Sequence, residues 1–548
     1  MAARKAATAV GKRITGALAR PGPLPQRRAR GLDVRGQDPH DPLSRAMTCA
    51  NPTPGAMNPS DSKQPGISAM AVYVPAFRVD LRRWCEWTGQ NWDKVSAVVG
   101  RGFRVCGPHE NVYTMAANAA LRLILQNDVD PSGVGFLGLG TESSTDNAAG
   151  AVIVRGMVDR ALDQLGKKRL SRHLEVPEFK HACLGGVYAL KSALRYAAFD
   201  GAGRQAIVVS ADVAEYERGS TGEQTQGAGA VAMLVEADAK LLAVDLRRTG
   251  SASDYRGPDF RKPVARHFME GYPEQARGSD FPVFSGKYST FSYLDETVHA
   301  VENMLERLGV SAGAYYRDVC ALFFHRPYHL MPLQAMSFLY VRGLARGDHH
   351  HDELRELCAQ AEVAYEQVLR ETFATPDLYA RVLSGEHSID PYAATSAVAQ
   401  VLRKEARFQK LLREKMSLGA DWVKDVGNLY TAALPAWIAA ALEEGALGEL
   451  PLTSRPMVAV GYGSGDAAEA MPVSPVVGWE RAARRIGFAA ALAQPLDLSR
   501  QQYEALHDGR EPAGLEYRPR AEFTIARVGT TYHSAFQDLG VEYYEYAL

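Results

Sequence analysis

The sequence predicts an α/β protein, a sheet with helices on its faces. Three observations carry this class. From about residue 66 onward, short apolar and β-branched runs alternate with stretches whose apolar residues recur every three or four positions. Several of the runs stop at glycine, proline or a polar turn, as buried strands do. With 548 residues, 46% of them hydrophobic and 23% charged, the chain has the apolar material for a large core.

Residues 1–65 stand apart. Arg4, Lys5, Lys12, Arg13, Arg20, Arg27, Arg28 and Arg30 all precede the first acidic residue, Asp33, and Pro, Gly, Ser and Asn are frequent from Pro21 to Gly66. A disordered basic tail, or a mis-assigned start with translation beginning at Met47 or Met57, is expected; the Arg-rich, acid-poor composition also resembles a transit peptide.

The elements then follow in order. Ile67 to Val74 reads as a strand, ended by Pro75. Val112–Gln126 reads as a helix through Met115, Ala119, Leu121, Leu123 and Leu125. Val134–Gly140 is a buried strand leading to Thr141-Glu142-Ser143-Ser144. A helix is expected directly after His181-Ala182-Cys183-Leu184-Gly185-Gly186, with Val187, Leu190, Leu194 and Ala197 as its apolar stripe. Strands follow at Ala206–Ser210 and Gly229–Val235. Beyond them, Val319–Phe324 is a strand ending at His325, and charged helices run over Asp352–Phe373 and Ala394–Lys415. Ala432–Leu442 is an apolar helix in which Pro435 is tolerable only in the first turn. Pro456–Val460 runs into Gly461-Tyr462-Gly463-Ser464-Gly465, and Glu522–Val528 is a late strand. Two α/β halves are read, without a residue-level repeat between them.

Bulk properties exclude several classes. A net charge of −1 gives no global field for nucleic acid or an anionic membrane. No apolar run is long enough to span a bilayer. The six cysteines (Cys49, Cys85, Cys106, Cys183, Cys320 and Cys358) form no CxxC pair and no disulfide framework, which fits a reducing, cytoplasmic setting.

Three residues at element ends can carry chemistry. A thiol at a helix N-terminus meets unpaired N–H groups and the positive end of the dipole, so Cys183 is expected as a stabilised thiolate; the alternative is a small packing thiol. Sites in α/β sheets gather at strand C-terminal ends, where Glu142 and His325 also fall; an exposed loop carboxylate and a structural histidine are the alternatives. The turns Gly227-Ala228-Gly229 and Gly463-Ser464-Gly465 can offer N–H donors to an oxyanion, and neither matches a phosphate-binding fingerprint. Asp348-His349-His350-His351-Asp352 invites a metal reading, but adjacent positions cannot all face one ion, so a solvated loop and no metal are expected.

A set of ordered segments adds a resemblance. They are Gly140-Thr141-Glu142-Ser143, Ala182-Cys183-Leu184-Gly185-Gly186, Ser210-Ala211-Asp212-Val213-Ala214, Thr225 to Ala232, Asp259-Phe260-Arg261-Lys262-Pro263, Gly286-Lys287-Tyr288-Ser289, Phe324-His325-Arg326-Pro327-Tyr328, Gly427-Asn428-Leu429-Tyr430-Thr431 and Tyr462-Gly463-Ser464-Gly465. On these, the chain from about Gly66 to its C-terminus resembles the hydroxymethylglutaryl-CoA synthase family of thiolase-like condensing enzymes. The resemblance implies a thiolase-like fold of two α/β halves in an αβαβα arrangement. The nucleophilic cysteine then lies in an N-terminal half over 66–240, and the catalytic histidine and a helical insertion lie in 241–548. It implies that Cys183 takes an acetyl group from acetyl-CoA as a thioester, and that Glu142 is the general acid/base. His325 orients the acetoacetyl-CoA, and Asn428, Ser464, Tyr430 and Gly227 bind substrate. It also implies a cytoplasmic homodimer with acyl-CoA substrates and no cofactor. Leu184 stands where the family commonly has an aromatic residue. His329 to Gln334 stand where it usually carries lysines for CoA, which leaves open a β-ketoacyl group on an acyl carrier protein. A ketoacyl synthase III-like condenser, which does not need Glu142, and a thioester-binding scaffold without activity are the other readings.

Overall fold

Period-two alternation decides how the central sheet is buried. The structure is a computed structural model that describes residues 64–262, 281–347 and 350–548. The basic tail up to Lys63, Pro263, Asp348 and His349 lie outside the described residues. The described residues pack as one unit. Among the described residues the first twelve strands are β1 (Gly66–Tyr73), β2 (Phe77–Asp80), β3 (Gly102–Val105), β4 (Val134–Gly140), β5 (Glu178–Phe179), β6 (Gln205–Ala214), β7 (Gly227–Glu236), β8 (Leu242–Val244), β9 (Gly250–Ser253), β10 (Ala321–Phe324), β11 (Met457–Gly463) and β12 (Ala467–Pro475).

All but β2 and β3 share one sheet, in the order β10-β11-β12-β8-β1-β7-β6-β4-β5, with β9 on β12. Short β8 joins its two halves. It pairs with the start of β1 through Gly66 and Ala243, and with the end of β12 through Val244 and Val473.

Each strand of the first half buries both faces. Met70, Val72, Val208, Val231 and Met233 point to one cluster, shared with the helix Gly185–Ala198 that follows the cysteine. Ala71, Tyr73, Ile207, Val209, Ala232 and Leu234 point to the other, shared with the helices Val112–Gln126 and Gly150–Gln164. The helix Ala433–Leu447 is apolar all round and buried on nearly every side. It packs against β1 and β7 on one side and β10 and β11 on the other, so it shares the middle layer with the cysteine helix. The helix Gly286–Leu308 covers the far face of the second half, and Leu330–Arg346 packs on that helix. The resulting order of layers is αβαβα.

Predicted elements and structure agree closely at Val112–Gln126, Val134–Gly140 and Glu522–Val528. Pro435 falls in the first turn of its helix. The two long charged helices are each broken. Asp352–Phe373 becomes His351–Gln360 and Tyr365–Phe373 around Glu362, whose φ of 56° cannot continue a helix. Ala394–Lys415 becomes Ala393–Leu402 and Ala406–Lys415. Among the described residues, no helix is long and apolar enough to cross a membrane.

Candidate active site

The cysteine reaches the sheet through two glycines. A Cβ on Gly140, at the end of β4, would lie 2.4 Å from Gly186 Cα, so the helix start can press against that strand only if both positions lack side chains. Ala182 precedes the cysteine with φ at 42°, a conformation unusual for a residue with a side chain. Leu184, on the other side, is fully buried against the backbone of β11, where only Gly461 and Gly463 leave it room.

A cavity of about 290 Å³ lies where the strand ends converge. Cys183, His325, Asn428 and Ser464 line it, within walls that include Tyr216, Phe260, Phe284 and Tyr462. Cys183 is buried in an aromatic nest with Tyr216 and Tyr430. Burial pushes its thiol well up from the ordinary value, and the charges of Glu142 and Asp212 push the same way. The expected resting thiolate is thereby corrected. The helix N-terminus is present, but desolvation and two nearby carboxylates outweigh it, so the sulfur rests as a thiol.

Glu142 lies at the C-terminal end of β4, and its charge raises Cys183, Tyr216 and Tyr430 together. Its loop is anchored by Asp212, which is fully buried on β6. Asp212 Oδ1 accepts from the amides of Glu142 (2.8 Å) and Ser143 (3.0 Å) and from the hydroxyls of Thr141 (2.9 Å) and Ser143 (2.7 Å). Oδ2 accepts from Thr431, through its amide at 2.9 Å and through its hydroxyl. One carboxylate thus ties the Glu142 loop to the Asn428–Thr431 segment. The segment Ser210-Ala211-Asp212-Val213-Ala214 does not by itself reveal this role, because the partners of Asp212 lie 71 and 219 residues away.

His325 closes the opposite wall. Its amide donates to Val460 O at 2.6 Å, its carbonyl accepts from Tyr293 Oη at 2.9 Å, and its ring stacks on Tyr462 at 6.2 Å between centroids. Burial holds the imidazole down to about 3, so it is neutral at physiological pH and can donate one N–H to a carbonyl. Asn428 Oδ1 accepts from the Tyr430 amide at 2.9 Å, which fixes the side chain at the cavity wall.

Two expected substrate-binding residues sit behind the wall. Tyr430 is fully buried in the nest around the sulfur. Gly227 pairs with Ala214 and bridges to Gly427, and a Cβ there would meet Asn428 O at 2.4 Å. It lies at the start of β7, where the lack of a side chain leaves room for the Asn428 segment. Among the described residues no cluster of three or more metal-ligating side chains occurs. His351 opens a helix and its Nδ1 contacts Tyr365 Oη at 2.7 Å.

The chain is similar to several known proteins. A family model described as hydroxymethylglutaryl-coenzyme A synthase, N terminal, matches residues 61–240. The hydroxymethylglutaryl-CoA synthase of Haloferax volcanii is 27% identical over 476 residues, covering 85% of this chain and 97% of its own length. That of Enterococcus faecalis is 25% identical, covering 80% and 91%. Among solved structures, MvaS in complex with 3-hydroxy-3-methylglutaryl coenzyme A has a TM-score of 0.68 at 26% identity, covering 89% of this chain and 100% of that one. A curacin-pathway HMG synthase in complex with an acetyl donor-ACP has a TM-score of 0.63 at 20% identity, covering 88% and 100%. The second likeness bears on fold alone.

Proposed function

We propose the following reaction from the premise that the chain belongs to the hydroxymethylglutaryl-CoA synthase family, whose thiolase-like fold it shares. The chain condenses an acetyl group, taken from acetyl-CoA, with the ketone of acetoacetyl-CoA and then hydrolyses the enzyme thioester. The observation that carries this is the meeting of Cys183 and His325 on one cavity, with the charge of Glu142 acting on the sulfur.

The Cys183 sulfur attacks the acetyl-CoA carbonyl and the CoA thiol leaves. The sulfur rests protonated, so its proton moves to the departing CoA sulfur as the new bond forms. Glu142 next takes a proton from the acetyl methyl, and the resulting carbanion attacks the acceptor ketone. The same carboxyl returns a proton to the new alkoxide. His325, uncharged, donates to the acceptor's thioester carbonyl, with Asn428 and Ser464 beside it. Water then cleaves the Cys183 thioester and frees 3-hydroxy-3-methylglutaryl-CoA. The reading includes no cofactor, a cytoplasmic setting and a homodimer.

A carrier-protein-bound acceptor is the second reading, and one observation favours it. Arg326 turns inward to donate to Ala420 O at 2.9 Å and to face the Trp437 ring, while burial and the Arg326 charge hold His329 down to about 3. Neither offers a free cation to a CoA phosphate. Parallel assays with acetoacetyl groups on CoA and on carrier protein test both readings, with product read by mass spectrometry. Hydroxymethylglutaryl-CoA from the CoA arm is expected. Product from the carrier arm alone selects the second reading, and no product from either removes the condensation.

A further inference from the structure

Behind Tyr462, a group of buried acids has no part in the reaction above. Asp259 is 0% and Asp466 4% exposed. Tyr462 Oη lies 2.7 Å from Asp466 Oδ1 and 3.3 Å from Asp259 Oδ2, while its ring stacks on His325. Tyr462 has one hydroxyl proton and can donate it to only one of these two carboxyls. The other can bond the same oxygen only by bringing a proton of its own.

The surroundings argue for the same proton. Arg256 Nε faces Asp466 Oδ2 at 3.5 Å, and its terminal nitrogens donate to Asp254, Asp295 and Glu296 at 2.9, 2.5 and 2.7 Å. Asp295 also meets Tyr392 Oη, and His299 at 3.5 Å. The Gly465 amide donates to Asp466 at 2.6 Å, and Ser289 lies beside Asp259. Asp259, Asp295, Glu296 and Asp466 therefore crowd one buried guanidinium and one partly exposed imidazole. Full ionisation would leave excess negative charge out of water, which repulsion in a low dielectric opposes. Burial raises both carboxyls of the pair.

We propose that Asp466 is a positioning residue for the acceptor step: with Asp259 it holds one shared proton, and the singly protonated pair clamps Tyr462 against His325. This rests on the role given to His325 above. The sign of the pH effect follows. At low pH the pair keeps its proton and the clamp holds; as pH rises through the pair's apparent pKa the second carboxylate forms, the pair repels, and Tyr462 loses its fixed partner. Acceptor binding then weakens, while acetylation of Cys183 does not depend on the clamp.

The test is the Kd of acetoacetyl-CoA by titration calorimetry and, separately, the rate of Cys183 acetylation by acetyl-CoA, between about pH 6 and about pH 10. In the wild type, Kd rises about fivefold or more over this range. Asp466→Asn cannot ionise, yet its amide donates to Asp259 and accepts from Tyr462. Its Kd at neutral pH stays within about twofold of wild type and its pH slope is flat. Asp466→Leu, which lacks both bonds, weakens Kd about tenfold at every pH and still acetylates, which shows that it is folded. The same pH slope in wild type and Asp466→Asn would overturn the proposal, as would a pH-independent Kd in the wild type. No binding of acetoacetyl-CoA to the wild type at any pH would remove the function proposed above together with the clamp. Binding with a flat Kd removes the clamp alone.

Discussion

Glu142→Ala accepts acetyl on Cys183 and loses carbon–carbon bond formation by about 10³-fold, within the usual range for removing a general base. The split follows from the geometry. The sulfur sits in an aromatic nest with Tyr216 and Tyr430. Glu142 also raises the thiol by its charge, so its removal brings the thiol back towards its ordinary value and leaves the first half-reaction intact. Glu142 acts on the sulfur by its charge, and His325, the buried imidazole of the cavity wall, is assigned to the acceptor. Single-turnover measurements separate the steps, with acetyl-enzyme counted by mass and product by chromatography. Normal product formation by this variant would strip Glu142 of its role.

Asp212→Asn damages both halves of the reaction and the fold beneath them. Its two oxygens accept from Thr141, Glu142, Ser143 and Thr431, all donors in a buried setting. An amide keeps the shape but turns one acceptor into a donor facing other donors, and each stranded donor costs about 1–3 kcal/mol. A loss of about 2–4 kcal/mol in unfolding free energy is expected. Condensation falls about 10²-fold, because the Glu142 loop and the Asn428 segment lose their common anchor. Urea unfolding and the single-turnover assay read the two effects. Wild-type stability would show that the carboxylate is dispensable.

Sequence and structure agree where local spacing and burial point the same way. The helices Val112–Gln126 and Gly185–Ala198 are legible because their apolar residues repeat at helical spacing, and β4 and β7 because their runs are uniformly apolar. The helix Gly286–Leu308 is not, because its buried face carries Ser292, Asp295, Glu296 and Thr297, which read as surface. Their partners, Arg256 and Tyr392, come from elsewhere in the chain. Asp212 escapes for the same reason. Its partners lie 69 to 71 residues away on one side and 219 on the other. The resting state of Cys183 is hidden differently. A helix start is visible in sequence, whereas the desolvation that overrides it exists only once Tyr216 and Tyr430 close around the sulfur. The small size of Gly227 serves the close approach of Asn428, a contact that local spacing does not show.

The account stands on the Cys183 sulfur as the carrier of the acetyl group. Incubating the wild-type chain with acetyl-CoA alone and mapping the acetyl group by peptide mass spectrometry tests this most directly. A single acetyl thioester on Cys183, absent from Cys183→Ala and unaffected by loss of Cys85, Cys106, Cys320 or Cys358, is the predicted result. An unmodified Cys183 in protein that still makes product, or the acetyl group on another cysteine, would contradict it.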